Sequence, residues 1–223
     1  MDKTENAIGY VTAVDVASEA LDRLQPTAAS HDRVMVLEVM GRNAGHIALS
    51  AGISGGADAI LMPEIPWTME GLSQKILDVR QNGRNFALVI VAEAAQLPDG
   101  ETVGRRRSDG GFSFGGVGQR VSEMIEKSTG AESRVTVLGH VQRGGAPAPR
   151  DRLFASAFGV CAVDLVAQGR FDRLVVWSNR ECRDVPLADG IATSHRVDPQ
   201  GTLVHTATGL DIYIGDPGAS GAV

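Results

Sequence analysis

The chain has 223 residues, of which 43% are hydrophobic and 22% charged, and these fractions are typical of a globular protein. Aromatic residues make up only 4%, so we expect a core of aliphatic side chains. A formal net charge of −6 argues against nucleic-acid binding, which usually involves a basic surface. Two cysteines without a CxxC motif argue against a disulfide scaffold and a cysteine-based zinc site.

The longest strongly apolar run, residues 86–92, is too short to cross a membrane. The first ten residues, MDKTENAIGY, lack the pattern of a secretory signal peptide. We therefore expect a cytoplasmic protein that acts on neither membranes nor nucleic acids.

Strand and helix patterns alternate along the chain. Residues 12–25 have helical periodicity, and Pro26 is expected to end that helix. The elements predicted after it are a strand at 34–39, a short helix at 46–52, a strand at 59–62, a helix at 69–82, a strand at 86–93, a loop at 96–115, a helix at about 116–128, a strand at 134–139, a helix at 151–168 and a strand at 173–177. The remainder is expected to be short and irregular.

This alternation predicts an α/β fold with a layered, mostly parallel sheet flanked by helices. We expect one domain over residues 1–216 and a flexible tail at 217–223. The helix at 151–168 has more apolar positions than one buried stripe requires, which predicts self-association or poor solubility of the isolated chain. These positions are Leu153, Phe154, Phe158, Val160, Cys161, Val163 and Leu165.

Polar residues, Arg134 among them, are expected near the carboxyl ends of the predicted strands, where open α/β sheets bind ligands. They include five groups that can carry positive charge, in a chain that is acidic overall: Arg33, Arg42, Arg134, His140 and Arg143. The planar fork of arginine matches the oxygens of a phosphate. Each group alone also fits a structural explanation: a surface ion pair for an arginine, a buried hydrogen bond for His140, or a helix cap for the nearby Glu93. Together they favour a site for a phosphorylated small molecule.

Three segments carry a more specific signal. EVMGRNAGHIAL at 38–49, VAEAAQLPDG at 91–100 and VLGHVQRGGAPAPRDR at 137–152 resemble the 6-phosphofructokinase family. PLADG at 186–190 and TATGLDIYIGD at 206–216 resemble the subgroup with pyrophosphate-using and mixed members. The resemblance implies a phosphofructokinase-like C-terminal portion, which in this family binds the sugar phosphate.

The resemblance also implies roles for individual residues in binding fructose 6-phosphate. The sugar site would be lined by Met40, Gly41 and Arg42, and its hydroxyls would be bound by Glu93. The 6-phosphate would be held by Arg134, His140 and Arg143, with Gln142 in the same motif but without an assigned role. Arg33 would reach the sugar site of a neighbouring subunit. A homo-oligomer is therefore expected.

The family's glycine-rich donor loops and its T-I-D-N-D motif, whose Asp is the catalytic base, have no counterpart in this sequence. We therefore expect neither a catalytic residue nor a metal ligand in this chain, and the site for Mg²⁺ with ATP or pyrophosphate would lie outside it. Three interpretations remain open. The chain is part of a truncated or split glycolytic 6-phosphofructokinase that needs a separate N-terminal partner chain, a non-catalytic sugar-phosphate-binding module, or an inactive gene remnant.

Overall fold

The computed structural model describes residues 3–219, which contain helices, a parallel sheet and two antiparallel hairpins. The helices are α1 (Tyr10–Ser30), α2 (His46–Ser54), α3 (Met69–Gln81), α4 (Val117–Thr129), α5 (Pro149–Ala167), α6 (Leu187–Ile191) and α7 (Thr202–Gly209). The strands are β1 (Val34–Val39), β2 (Ala59–Leu61), β3 (Ala87–Ala92), β4 (Gly104–Arg106), β5 (Phe112–Phe114), β6 (Ser133–Val137), β7 (Arg173–Ser178) and β8 (Glu181–Pro186). No helix among the described residues is long and apolar enough to span a bilayer.

Four strands form a fully parallel sheet in the order β2-β3-β1-β6. Every residue of β1 and β3 is buried, as expected for central parallel strands covered on both faces. Helices α3 and α4 pack against this sheet through Leu72, Ile76, Val121 and Ile125, which are fully buried. The predicted α/β fold with a mostly parallel sheet is confirmed.

The described residues divide into two compact units. The first unit contains the chain up to Asp15 together with Arg143–His195, and the second contains Val16–Gln142 and the chain from Arg196 onward. The expected single domain over residues 1–216 stays a prediction. Of the expected tail, Pro217–Ala219 form a short 3-10 turn, and residues 220–223 lie outside the described residues.

The expectation that Pro26 ends the first helix is wrong, because α1 continues to Ser30 with the proline inside it. A proline within a helix removes one backbone hydrogen bond, which disfavours the helix. Beyond it, however, Ala28 is fully buried, and the hydroxyl of Ser30 donates to the carbonyl of Thr27. Tertiary packing of the last turn thus outweighs the local cost of the proline.

Strands β4, β5 and β8 occur where the sequence predicts loop or irregular structure, and they complete two hairpins. Strands β4 and β5 pair within the predicted loop, with the rings of Phe112 and Phe114 edge to face at 5.2 Å. Strands β7 and β8 are joined by Asn179 and Arg180, which both have positive φ, as the mirror-image turns of two-residue hairpins require. Arginine rarely adopts that conformation, and β4 and β8 are rich in charged residues, so neither hairpin has the usual sequence signature.

In the first unit, the carboxylate of Asp151 at the start of α5 caps the start of α1. Asp151 is 1% exposed, and its Oδ2 accepts hydrogen bonds from the backbone N–H of Thr12 at 2.8 Å and from the Thr12 hydroxyl at 2.5 Å. Burial raises the pKa of this carboxyl, but hydrogen bonds from Thr12 and from the backbone N–H groups of Gly9 and Val11 outweigh it and hold the pKa below its usual value of 3.8.

We therefore predict that Asp151→Ala lowers the free energy of unfolding at pH 7 by about 1–2 kcal/mol, the usual cost of losing a helix cap. Because the pKa is lower in the folded state, this stabilisation is present above about pH 4 and is lost as the pH falls through the folded pKa. Denaturant unfolding of both proteins at pH 7 and pH 3 measures the difference. The exposed Asp164 of the same helix gives the control, Asp164→Ala. A difference equally large at both pH values would contradict the assignment.

Candidate functional site

The loops at the carboxyl edge of the parallel sheet lie next to one another because β1, β3 and β6 run in the same direction. Residues 40–42 follow β1, Glu93 follows β3, and a 3-10 turn, Gly139–Arg143, follows β6. The backbone N–H of Glu93 donates to the carbonyl of Val39 at 2.9 Å, which continues the pairing of β1 with β3 past the strand end.

The turn at 40–42 is held by side-chain oxygens from the two neighbouring loops. The N–H of Met40 donates to Gln142 Oε1 at 2.6 Å, and the N–H groups of Gly41 and Arg42 both donate to Glu93 Oε1, at 3.1 and 2.8 Å. Three consecutive backbone donors therefore have fixed acceptors, and the turn is tied to the ends of both neighbouring strands.

The turn also depends on its backbone conformation. A Cβ atom on Gly41 would lie 2.4 Å from the carbonyl oxygen of Ala44, so no larger residue fits without moving the chain. Arg42 has φ +52°, in the left-handed region, and its side chain is exposed at this edge of the sheet.

The structure gives Gln142 a position that the sequence left unexplained. Its side chain is 1% exposed and lies inside the loop cluster. His140, two residues earlier in the same turn, is exposed. Arg143 follows Gln142 directly, is exposed, and belongs to the first compact unit.

Arg33 and Arg134 lie at the opposite, amino edge of the sheet. Arg33 immediately precedes β1, and Arg134 is the second residue of β6, where it stands opposite Met35. Met35 is five residues before Met40, which is about 17 Å along an extended strand. The expectation that Arg134 lies with the other residues at the carboxyl strand ends is therefore wrong, because the strand begins one residue before it.

Both arginines share one carboxylate. Arg33 Nη2 lies 3.0 Å from Glu132 Oε1, and Arg134 forms an ion pair and hydrogen bond with the same oxygen. The hydrogen bond from Arg33 and the charge of Arg134 hold the pKa of Glu132 below its usual value, although partial desolvation opposes them. The amino edge thus carries two cations and a carboxylate that stays ionised near neutral pH.

Sequence analysis missed two further glutamates. Glu38 lies within β1, is 2% exposed, and accepts hydrogen bonds from the N–H groups of Gly116 and Gly118 at the start of α4, at 3.0 and 2.8 Å. Glu64 accepts from the N–H groups of Gly45 and Val197, both at 3.0 Å. A charged residue inside the apolar run VMVLEV was the one signal available for Glu38.

A family model described as Phosphofructokinase matches residues 1–166. The chain belongs to the phosphofructokinase family. An ATP-dependent 6-phosphofructokinase 1 from Synechocystis sp. is 54% identical over 213 residues, which are 96% of this chain and 59% of that protein. The chain therefore spans about three fifths of the length of the curated relatives that it matches. The resemblance to 6-phosphofructokinases is confirmed.

Solved phosphofructokinase structures have the same fold. The phosphofructokinase from Saccharomyces cerevisiae superposes with a TM-score of 0.73 at 29% identity and covers 95% of this chain and 27% of that one. A pyrophosphate-dependent phosphofructokinase from Nitrosospira multiformis superposes with a TM-score of 0.68 at 22% identity, over 94% of this chain and 55% of that one. At 22% identity, the similarity to the pyrophosphate-dependent enzyme supports the fold alone.

The part of this phosphofructokinase chain that the structure describes offers no site for the expected Mg²⁺. Among residues 3–219, no three or more His, Cys, Asp or Glu side chains are grouped so that they could ligate a metal ion. The acidic side chains at the carboxyl edge bind backbone N–H groups instead. These residues therefore do not fit a metal site.

We predict that Gln142→Met, which keeps the volume but removes the acceptor, lowers the free energy of unfolding by about 1–3 kcal/mol, because the N–H of Met40 loses its partner. Hydrogen exchange at the Met40 amide should accelerate. Gln142→Glu keeps an oxygen at this position and should restore slow exchange. If the amide of Met40 exchanges equally slowly in the methionine variant, Gln142 does not hold the turn.

Proposed function

We propose that this chain is the fructose 6-phosphate-binding part of a 6-phosphofructokinase, which transfers a phosphoryl group to the 1-hydroxyl of the sugar in glycolysis. The main support is the turn at 40–42, fixed by Glu93 and Gln142 at the carboxyl edge of a parallel sheet. Ligands bind at this edge in open α/β sheets. The family's sugar-site residues match the same positions.

Glu93 suits the neutral part of the sugar. Its Oε1 is occupied by the N–H groups of Gly41 and Arg42, which fixes the orientation of the carboxylate. Within the described residues its Oε2 has no protein donor, so a sugar hydroxyl can donate to it. A carboxylate held in advance binds a hydroxyl without first losing side-chain entropy.

His140 and Arg143 suit the phosphate. Both side chains are exposed, and neither forms an ion pair within residues 3–219. Hydrogen bonds from cationic groups to a phosphate are about twice as strong as neutral ones. We infer that these two residues provide most of the affinity of this chain for the sugar phosphate.

The positions of Arg33 and Arg134 support the proposal of a homo-oligomer. These two arginines lie at the amino edge of the sheet, about 17 Å along an extended strand from the turn at 40–42. One sugar phosphate does not bridge that distance, so these arginines reach the ligand of a second copy in the proposed assembly.

The phosphoryl donor and the base that activates the sugar hydroxyl belong to the part of the family's chain outside these residues. Phosphoryl transfer requires both reactants to be positioned and the charge of the transferring group to be neutralised. In the proposed enzyme, which we place in the cytoplasm, the remaining part supplies ATP or pyrophosphate with Mg²⁺.

We predict that the chain binds fructose 6-phosphate and that His140→Ala and Arg143→Ala each weaken binding by about ten- to a hundredfold, the scale of one hydrogen bond to a charged group. Calorimetric titration measures the affinity. Arg106→Ala, on the exposed hairpin strand β4, is the matched control and should bind as the unaltered chain does. Equal affinities for the Arg143 and Arg106 variants, or no binding by the unaltered chain, would refute the site.

We also predict that the isolated chain does not phosphorylate fructose 6-phosphate with ATP or with pyrophosphate, each supplied with Mg²⁺. The physical reason is that, in the proposed enzyme, the donor site and the base that act on the sugar lie outside residues 3–219. A coupled assay detects turnover, and rates of about 1–100 s⁻¹, which are ordinary for kinases, would show that this chain holds a complete active site.

A further inference from the structure

The first compact unit contains both cysteines of the chain. Cys161 lies on α5 and Cys182 on β8, and both are free thiols with half-buried side chains. The whole of β7 separates them in the sequence, so no local motif links them. Neither belongs to the candidate sugar site, which leaves open what the two thiols do.

Cys161 lies on the face of α5 that packs against the hairpin of β7 and β8. Residues spaced three and four apart share one face of a helix, and on α5 this spacing selects Phe154, Phe158, Cys161 and Leu165. Phe154 and Leu165 are buried. The ring of Phe154 lies 5.0 Å from that of Trp177 on β7, edge to face, and 6.2 Å from that of Phe158. This face of α5 contacts both strands of the hairpin.

Cys182 lies on the side of the hairpin that faces this helix. It is directly opposite Trp177 in the pairing of β7 with β8, and residues directly opposite in an antiparallel pair project from the same face. Because the ring of Trp177 packs on Phe154, Cys182 also projects toward α5. The Cys182 thiol accordingly forms a hydrogen bond with Cys161. Strand register and helix packing thus bring the two thiols together.

We propose that Cys161 and Cys182 form a reversible disulfide that ties α5 to β8 when the chain meets a low-molecular-weight disulfide. A disulfide needs Cα atoms within about 7 Å and a sulfur–sulfur bond of about 2.0 Å. Thiols that already share a hydrogen bond need only small side-chain rotations and a small shift of the helix to reach this geometry. The proposal rests on packing within the first unit, and it does not depend on the sugar site.

The two thiols have different roles in the reaction. Burial, followed by the hydrogen bond with Cys161, raises the pKa of the Cys182 thiol to about 11, so Cys182 is almost fully protonated at neutral pH. Only a thiolate attacks a disulfide efficiently. We therefore assign the first attack to Cys161 and the second to Cys182.

The exchange balances in two steps. The Cys161 thiolate attacks one sulfur of the external disulfide, which breaks that bond and releases the first small thiolate. The Cys182 thiol gives its proton to that thiolate, and its sulfur then attacks Cys161 Sγ, which breaks the mixed bond and releases the second small thiolate. That thiolate takes the proton that Cys161 lost to solvent. Two electrons pass from the cysteines to the external disulfide, which leaves as two thiols.

The cross-link would stabilise the first unit. A two-stranded hairpin is marginally stable by itself, so β7 and β8 depend on their packing against α5. A disulfide between α5 and β8 restricts the unfolded chain and thereby favours the folded one. By linkage, the folded chain favours the disulfide over the two thiols by the same factor.

The test equilibrates the 223-residue chain with graded mixtures of reduced and oxidised glutathione, once in buffer and once in guanidinium chloride. Intact mass distinguishes an internal disulfide, which lacks two hydrogen atoms, from glutathione adducts, and peptide mapping identifies the linked cysteines. We expect the folded chain to form the Cys161–Cys182 link in mixtures at least about tenfold more reducing than the denatured chain needs, which corresponds to about 30 mV.

Cys161→Ser combined with Val160→Cys is the matched control. It keeps two cysteines but turns one of them about 100° around α5, to a position that is 64% exposed. This variant should collect glutathione adducts instead of an internal link. Oxidation should also raise the thermal midpoint of the unaltered chain and leave that of Cys182→Ser unchanged.

Three results would overturn the proposal. The first is that the folded and denatured chains oxidise in the same mixtures, the second that the disulfide joins two chains, and the third that the shifted pair links as readily as the native one. None of these measurements uses binding or turnover of fructose 6-phosphate, so a failure here is distinct from a failure of the proposed function.

Discussion

Hydrogen bonds from backbone N–H groups to buried or half-buried side-chain oxygens fix the loops around the parallel sheet. Neighbouring strands pair their backbone N–H and C=O groups with one another, but the backbone groups of the loops that follow have no such partners. Glu38, Glu64, Glu93 and Gln142 accept from seven backbone donors in four separate segments. An unpaired buried donor would cost more than a typical hydrogen bond contributes, so the loop positions depend on these four side chains.

The same arrangement prepares the candidate site. Glu93 holds the turn at 40–42 with one oxygen, and in the proposed site its other oxygen would bind the ligand, so one residue would serve both architecture and binding. Gln142 couples this turn to the segment that carries His140. The geometry of the candidate site is therefore set in advance, which would reduce the entropic cost of binding the proposed ligand.

The sequence predicted local features better than distant contacts. The apolar runs of β1 and β3 are visible in the sequence because both faces of these strands are buried, and the motif residues reveal the family. The acceptor role of Gln142 was not predictable, because its partner Met40 lies 102 residues away. The position of Arg134 at the amino edge was already implied by the strand predicted at 134–139, so the error lay in grouping it with the residues at the carboxyl ends. The turn at Asn179 and Arg180 requires positive φ at both residues, which asparagine adopts readily but arginine rarely.

The shared acceptors also determine how the loops move. Movement of the Glu93 carboxylate would release the amides of Gly41 and Arg42 together, since both donate to its Oε1. Release of Met40 requires the turn after β6 to shift as well. Opening at this edge would therefore involve neighbouring loops at once, whereas no such shared acceptor is described for the hairpin of β4 and β5, so we expect it to open more easily.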